Sequence, residues 1–339
     1  MEMKKKVTMK DIAKETGLSK STVSRALSGN AQRVKQETID IVLEKASEMG
    51  YECKAVKLAR AKTIAVLVPE VKTLMYEVYS AHVDKILREK GYNTLNIISR
   101  SAPDVEIVHI AVMLQNEVAG VLLCPSNPSE NVDTYINLLE EDVPLVLYDR
   151  TMDDLPVPKV RTDDYEKVYM LMEYLIRIGR KRIVHLAGEP NNKKHLEQIR
   201  AYRDVMEKHQ CPVDSEYIIY SDGSVESGEE AMGKFLKKQL PFDAVFGFCD
   251  NAALGAKRFL EKLHYSIPDD VAICAMSGVP FLPTIVTPML TVIEQSYEEM
   301  AKKSVELLLE KLENPDIPDK EIVLESKIII RGTTEKNKK

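Results

Sequence analysis

Two spacings of apolar residues divide the chain. Up to about residue 50 the pattern repeats every three or four positions, as one buried helical face requires. Ile12, Ala13 and Thr16 share a face, then Val23, Ala26 and Leu27, then Ile39, Val42, Leu43, Ala46 and Met49. From Thr63 the pattern changes to short continuous apolar runs: TIAVLVP, TLNIIS, AGVLLC and PLVLY, followed by RIVHLAG, AVFGFC and VAICAM. Amphipathic stretches separate them, at about 73–90, 105–116 and 130–141 in the first set and about 163–178, 195–209, 225–238 and 251–263 in the second. Strands that are apolar throughout and alternate with helices predict parallel sheets covered on both faces. Two such sets in tandem predict two lobes with a cleft between them. The expected fold class is therefore α/β, with a three-helix N-terminal head followed by two doubly wound parallel sheets.

The head reads as two short helices joined by a tight turn, then a third helix from about Gln36 to Met49 with Gly50 as its stop. Thr8 and Asp11 have capping-box spacing, Gly17 falls where the first helix must end, and Ser19 is placed to cap the second. Val23, Ala26 and Leu27 leave an outer face of Lys20, Ser21, Thr22, Ser24 and Arg25. That face offers hydrogen-bond donors and positive charge without bulky apolar groups, which suits a helix entering a DNA major groove. The structural alternative is a capped helical hairpin that packs on a larger domain.

This segment resembles the helix-turn-helix of the LacI (lactose-repressor) family of bacterial transcription regulators. The residues that carry the resemblance are Lys10-Asp11-Ile12-Ala13, Gly17-Leu18-Ser19 and Ser21-Thr22-Val23-Ser24-Arg25. It implies a DNA-binding head over residues 1–50, a hinge linker over 51–62, and a two-lobed periplasmic-binding-protein-like effector and dimerisation domain over 63–334. Lobe 1 is expected at about 63–161 and 296–320, and lobe 2 at about 162–292 and 321–334. The helix near 296–312 would return to the first lobe, and the strand near 321–330 would end in the second. Lys20, Ser21 and Arg25 match the family's base readers; Thr8, Ser19, Thr22, Ser24 and Thr38 are expected at phosphates. In the linker, Cys53-Lys54 replaces the family's Pro-Asn, while Ala55, Lys57, Leu58 and Arg60 keep a small, basic, helix-competent character. Leu58 is either a minor-groove wedge or one residue of a flexible tether. Some family members add a leucine-heptad tail that makes tetramers, whereas this sequence ends in Glu-Lys-Asn-Lys-Lys, so the resemblance implies a homodimer reading a pseudo-palindromic double-stranded operator.

Charge sharpens this picture. The net charge of the 339 residues is −6, yet residues 1–62 hold 14 Lys+Arg against 8 Asp+Glu, leaving 33 against 45 in the remainder. A basic head on an acidic body confines phosphate affinity to the head. With 44% hydrophobic and 29% charged residues the composition is that of a globular chain. No apolar run has membrane-spanning length and the lysine-rich start lacks a signal-peptide core, so a cytoplasmic protein is expected, with no membrane partner. Five scattered cysteines read as reduced thiols, with neither a disulfide framework nor a zinc site.

Effector contacts are expected on loops at the carboxyl ends of strands. That nominates Thr73, Met75, Tyr76, Ser101, Ser126, Asp149, Arg150, Gln198, Asp250 and Ser277; each is also readable as an ordinary surface polar group. Three positions depart from the family's sugar-binding pattern. Gln198 stands where an arginine usually precedes a Gly-aromatic pair, Cys249-Asp250 replaces Asn-Asp, and Ala275-Met276-Ser277-Gly278 replaces Gly-Phe-Asp-Asp. Lys193-Lys194-His195 with Arg200 would favour an anionic effector such as a sugar acid or sugar phosphate; the alternative is a solvated surface. Asp163-Asp164 and Asp269-Asp270 read as capping or turn residues. No phosphate loop, dinucleotide fingerprint, nucleophile elbow or metal-ligand spacing is present, so no enzyme, cofactor or metal is expected. The function expected is an effector-controlled transcription regulator, a repressor of a carbohydrate-related operon. The alternative is a solute-binding or sugar-modifying protein that retains a helical N-terminus.

Overall fold

The computed structural model describes residues 7–27, 34–49, 51, 62–69, 75–127, 130–190, 192–212, 214–277 and 281–335. The head holds α1 (Met9–Thr16), α2 (Lys20–Leu27) and α3 (Gln36–Glu48). Ile12, Val23, Ala26, Leu27, Ile39, Val42 and Ala46 form its buried seam, with Val7, Leu18, Met49 and Tyr51 against the edge. The side chain of Leu43, expected on this stripe, lies outside the described residues. Gly17 ends α1 with φ 67°, a left-handed conformation that a side chain would strain.

The body contains two six-stranded sheets. The first comprises β1 (Thr63–Val68), β2 (Asn93–Ile98), β3 (Gly120–Leu123), β4 (Leu145–Tyr148), β5 (Lys159–Thr162) and β11 (Glu321–Leu324). Its order is β11-β5-β4-β3-β1-β2, with every pair parallel. One face packs on α4 (Met75–Glu89) and α11 (Tyr297–Glu313), the other on α5 (Pro103–Gln115) and α6 (Val132–Glu140). The second sheet comprises β6 (Ile183–Ala187), β7 (Ile218–Tyr220), β8 (Ala244–Gly247), β9 (Ala272–Ser277), β10 (Thr291–Glu294) and β12 (Lys327–Ile329). Its order is β12-β10-β9-β8-β6-β7, and only the edge strand β12 runs antiparallel. It lies between α7 (Asp164–Arg177) with α8 (Lys193–Lys208) and α9 (Val225–Leu236) with α10 (Asp250–Lys262). β3, β4, β6 and β8 are buried at every position, which is why their sequences are unbroken apolar runs.

The chain passes between the lobes three times: after β5, after β10, and between β11 and β12. The expected return of the helix near 296–312 to the first lobe holds, since α11 packs in the core beneath β3 and β4. The expected strand over 321–330 is corrected. It is two strands, and Glu321–Leu324 pairs with β5 in the first sheet, so the assignment of 321–334 to lobe 2 holds only from the last crossing onward. Three strands escaped the apolar-run criterion. β5 alternates burial as a half-covered strand does, β7 has three residues, and β10 opens on Thr291 and closes on Glu294.

His185 on β6 is fully buried in the second lobe, stacked on Phe246 at 4.5 Å, with Nδ1 3.3 Å from the Phe246 carbonyl. Burial pushes its imidazole pKa down to about 3. Below its ordinary value of 6.5 the unfolded chain takes a proton that the folded chain refuses, so stability is full above that pH and declines as pH falls toward 3. One such group contributes a slope of about 1.4 kcal/mol per pH unit. Melts in steps from pH 7 to 4.5 should show this decline, reduced in His185→Phe; an identical pH dependence in the variant would exclude His185 as its source.

Candidate DNA-reading head and effector cleft

The capping expected at the head is present. Asp11 accepts from the Thr8 backbone N–H at 2.8 Å and from Thr8 Oγ1 at 2.7 Å, which fixes the first turn of α1. Ser19 Oγ accepts from the Thr22 N–H at 3.1 Å and lies 2.8 Å from both Ser21 Oγ and Thr22 Oγ1. With Val23, Ala26 and Leu27 buried, α2 exposes Lys20, Ser21, Ser24 and Arg25, while Thr22 is half-buried. Thr8 and Ser19 are exposed and Thr38 on α3 is half-buried. The head therefore presents one polar face that carries two cations and several hydroxyls. The hinge candidates Ala55, Lys57, Leu58 and Arg60, like Thr73 in the cleft set, lie outside the described residues.

The second site forms where the carboxyl ends of the first sheet meet the start of α8. Tyr76, on the first turn of α4, donates to Asp149 Oδ2 at 3.0 Å. Lys194 of α8 reaches across from the second lobe to Asp149 Oδ1 at 2.8 Å. Its ammonium also lies 3.8 Å from Asp164 Oδ2, whose other oxygen is 2.7 Å from Lys167. Burial opposes ionisation of Asp149, but Lys194 and then Arg150 outweigh it and hold its carboxyl below the usual range. Burial likewise opposes charge on Lys194, and Asp149 and Asp164 reverse the shift, so its ammonium is held above its ordinary value. Lys167 is fully buried, and there desolvation prevails over Asp164 and lowers its pKa. Lys167 donates to Thr162 Oγ1 at 2.7 Å, as does Gln295 Nε2 at 3.0 Å, and Tyr297 donates to Gln295 Oε1 at 2.7 Å. The cleft charges are thus wired into two of the three crossings between lobes.

The other nominated residues divide. Arg150 is half-buried and donates to the Ser126 carbonyl at 2.8 Å, while Ser126 Oγ bonds Glu106 Oε2 at 2.7 Å and Ser99 Oγ at 2.6 Å. The Met75 sulfur lies 3.6 Å from the Tyr297 hydroxyl. Ser101 is exposed in a turn at φ 53°, its hydroxyl 3.4 Å from the Pro69 carbonyl. Gln198 and Asp250 are buried, at 2% and 6% exposure. Ser277 ends β9, with its side chain outside the description. The basic cluster does not act as a unit. Lys193 pairs with Asp153 at 3.0 Å, His195 Nδ1 lies 2.9 Å from the Glu189 carbonyl, and Arg200 pairs with Glu197 and lies over the Tyr165 ring. Lys193 and Lys194 both reach carboxylates of the first lobe, Lys193 the exposed Asp153 and Lys194 the buried Asp149.

Asp163 caps α7 by accepting from the Glu166 N–H at 2.9 Å, and Asp270 accepts from the Ser266 N–H at 2.7 Å, as their spacing suggested. Asp164 is no cap; it pairs with the buried Lys167 and with the half-buried Lys194. Residues the sequence did not nominate are Thr162, Asp164, Lys167, Gln295 and Tyr297, which lie at or just after β5 and β10, two strands without an apolar run to reveal them. Among the described residues no helix is long and apolar enough to cross a membrane, and no group of His, Cys, Asp and Glu could hold a metal. Among the described residues Cys124, Cys211, Cys249 and Cys274 form no disulfide.

A helix-turn-helix head joined to a two-lobed, cleft-bearing α/β body defines a ligand-responsive DNA-binding regulator. The profile for "Bacterial regulatory proteins, lacI family" matches residues 8–53, and that for a "Periplasmic binding protein-like domain" matches residues 172–334. Catabolite control protein A of Priestia megaterium is 28% identical over 335 residues, 97% of this chain and 99% of its own length. The transcriptional repressor CytR of Escherichia coli K12 is 28% identical over 331 residues, 96% of each chain. The solved lac repressor dimer, bound to operator and the anti-inducer ONPF, shares the fold with a TM-score of 0.75 at 20% identity, over 97% of this chain and 99% of that one. The chain thus joins a LacI-family DNA-binding domain to a periplasmic-binding-protein-like domain, and these full-length relatives are LacI-family regulators.

A guanidinium on the exposed face of α2 can engage the O6 and N7 of a guanine, worth about 1–3 kcal/mol of discrimination. Arg25→Ala should therefore relax base preference at one base pair per half-site in a binding-site selection. Unchanged preference at every position would remove Arg25 from the readout.

Proposed function

We propose that the chain represses a carbohydrate-related operon as a cytoplasmic homodimer, with a sugar-class effector in the interlobe cleft setting its affinity for a pseudo-palindromic operator. The exposed face of Lys20, Ser21, Ser24 and Arg25 on a capped second helix carries this reading, because it is the one surface of the head built to meet base edges. Lys20, Ser21 and Arg25 read bases; Thr8, Ser19, Thr22, Ser24 and Thr38 position the head on phosphates. A two-fold axis would place two heads on successive half-sites about one helical turn apart.

Control follows from linkage. A ligand with different affinities for two lobe arrangements shifts their populations, and with them the placement of the heads. The coupling is reciprocal, so operator DNA alters effector affinity by the same factor. We read the protein as non-enzymatic, its output being occupancy of DNA.

Fluorescence anisotropy with fragments of its own genome, at about 50 and 200 mM salt, tests this reading. Contacts to 6–10 phosphates should weaken binding by about 10³ to 10⁵ between those conditions. Salt-independent binding, or none, would overturn it.

A further inference from the structure

The three crossings between the lobes lie side by side. Leu324, the last residue before the third crossing, pairs in register with Thr162, the last before the first. Lys327, the first residue after the third crossing, pairs with Glu294, the last before the second. Any rotation of one sheet against the other is therefore taken up within a few residues, at 162–164, 294–297 and 324–327.

Polar contacts secure these crossings unequally. Thr162 Oγ1 receives Gln295 Nε2 at 3.0 Å and Lys167 Nζ at 2.7 Å, so a single hydroxyl ties the first crossing to the second with both lone pairs in use. Thr162, Lys167 and Gln295 are all buried, and a donor that lost this acceptor would have no water to replace it. Asp163 and Ser296 cap the helices that follow, accepting from the Glu166 N–H at 2.9 Å and the Glu299 N–H at 3.3 Å. The third crossing consists of Glu325 and Ser326 alone between β11 and β12. Its Ser326 hydroxyl oxygen is buried, with no hydrogen-bond partner among the described residues. A buried hydroxyl without a partner raises the free energy of the arrangement that contains it. Neighbouring segments of the hinge thus hold one interaction that favours this lobe arrangement and one group that opposes it.

We propose that the hinge is a two-position pivot, in which the Thr162 hydroxyl locks the present arrangement and Ser326 favours a second one, where its own hydroxyl meets protein or water. Opposed contributions of this kind keep two arrangements close in free energy, as a protein whose state is set by small differences in ligand affinity requires. No ligand takes part in the pivot itself. Its consequence for DNA rests on the linkage reading above.

Hydrogen exchange read by mass spectrometry on the full-length, ligand-free protein tests the pivot, with Thr162→Val, Thr162→Ser and Ser326→Ala beside the wild type. Thr162→Val should speed exchange at 162–167 and 294–300 by about fivefold or more, because it strands two buried donors. Thr162→Ser keeps the acceptor and should behave as the wild type does. Ser326→Ala should slow exchange at the same segments by about threefold, because it removes the group that favours opening. Exchange in β1, β3, β6 and β8 should stay unchanged in all three variants. Shifts of the same sign in Thr162→Val and Ser326→Ala, shifts spread equally through the lobe cores, or none at the crossings would each overturn the proposal. Should Thr162→Val fail to fold, Ser326→Ala decides alone, and unchanged or faster exchange at the crossings contradicts the pivot. Anisotropy with the duplex recovered by binding-site selection then separates the pivot from its linkage to DNA. Opposite shifts in operator affinity, each of about threefold or more, are expected; unaltered affinity beside opposite shifts in exchange would leave the pivot standing and remove the linkage.

Discussion

A buried carboxylate and a partly buried ammonium, 2.8 Å apart and in different lobes, set the conditions for the body of this protein. In a low-dielectric interior neither charge tolerates losing its partner. Neighbours of the Asp149–Lys194 pair extend the constraint to the crossings: Lys194 leads to Asp164, Asp164 to Lys167, and Lys167 to Thr162, which also receives Gln295. A change of partner at Lys194 is felt where the chain passes between lobes.

The head obeys a different economy. Its seam of seven buried apolar residues is small, and its order rests on caps at Thr8 and Ser19 and on the left-handed Gly17. Such a domain gains from neighbours or DNA. Segregating positive charge into this small unit while the body stays acidic keeps the body from competing for phosphates. Recognition and control thus reside in parts with separate cores.

What the sequence revealed follows the range of the interactions involved. Capping at Thr8–Asp11 and Ser19–Thr22, the stop at Gly17 and the exposed face of α2 are encoded within four residues, so they were legible. The same holds for β1, β3, β4, β6 and β8, whose double-sided burial writes itself as apolar runs. β5, β7 and β10 were not legible because short or half-covered strands lack that signature. The strand near 321–330 looked continuous because both halves are strand; only pairing partners separate them between the two sheets. In the cleft, Asp149 and Arg150 follow from their place just after β4, whereas Tyr76 and Gln198 stand on helices, and Asp149 and Lys194, 45 residues apart, are brought together only by the packing of the two lobes. Asp164 was misread as a cap because its neighbour Asp163 is one.

The central claim is that the charge state of the cleft and the affinity of the head for DNA are linked. Its most direct test is the operator affinity of ligand-free Lys194→Met beside that of the wild type, measured at one salt concentration. Linkage of ordinary strength predicts a difference of roughly 5- to 150-fold, in either direction, with the head itself unaltered. Equal affinities in two well-folded proteins would contradict the account.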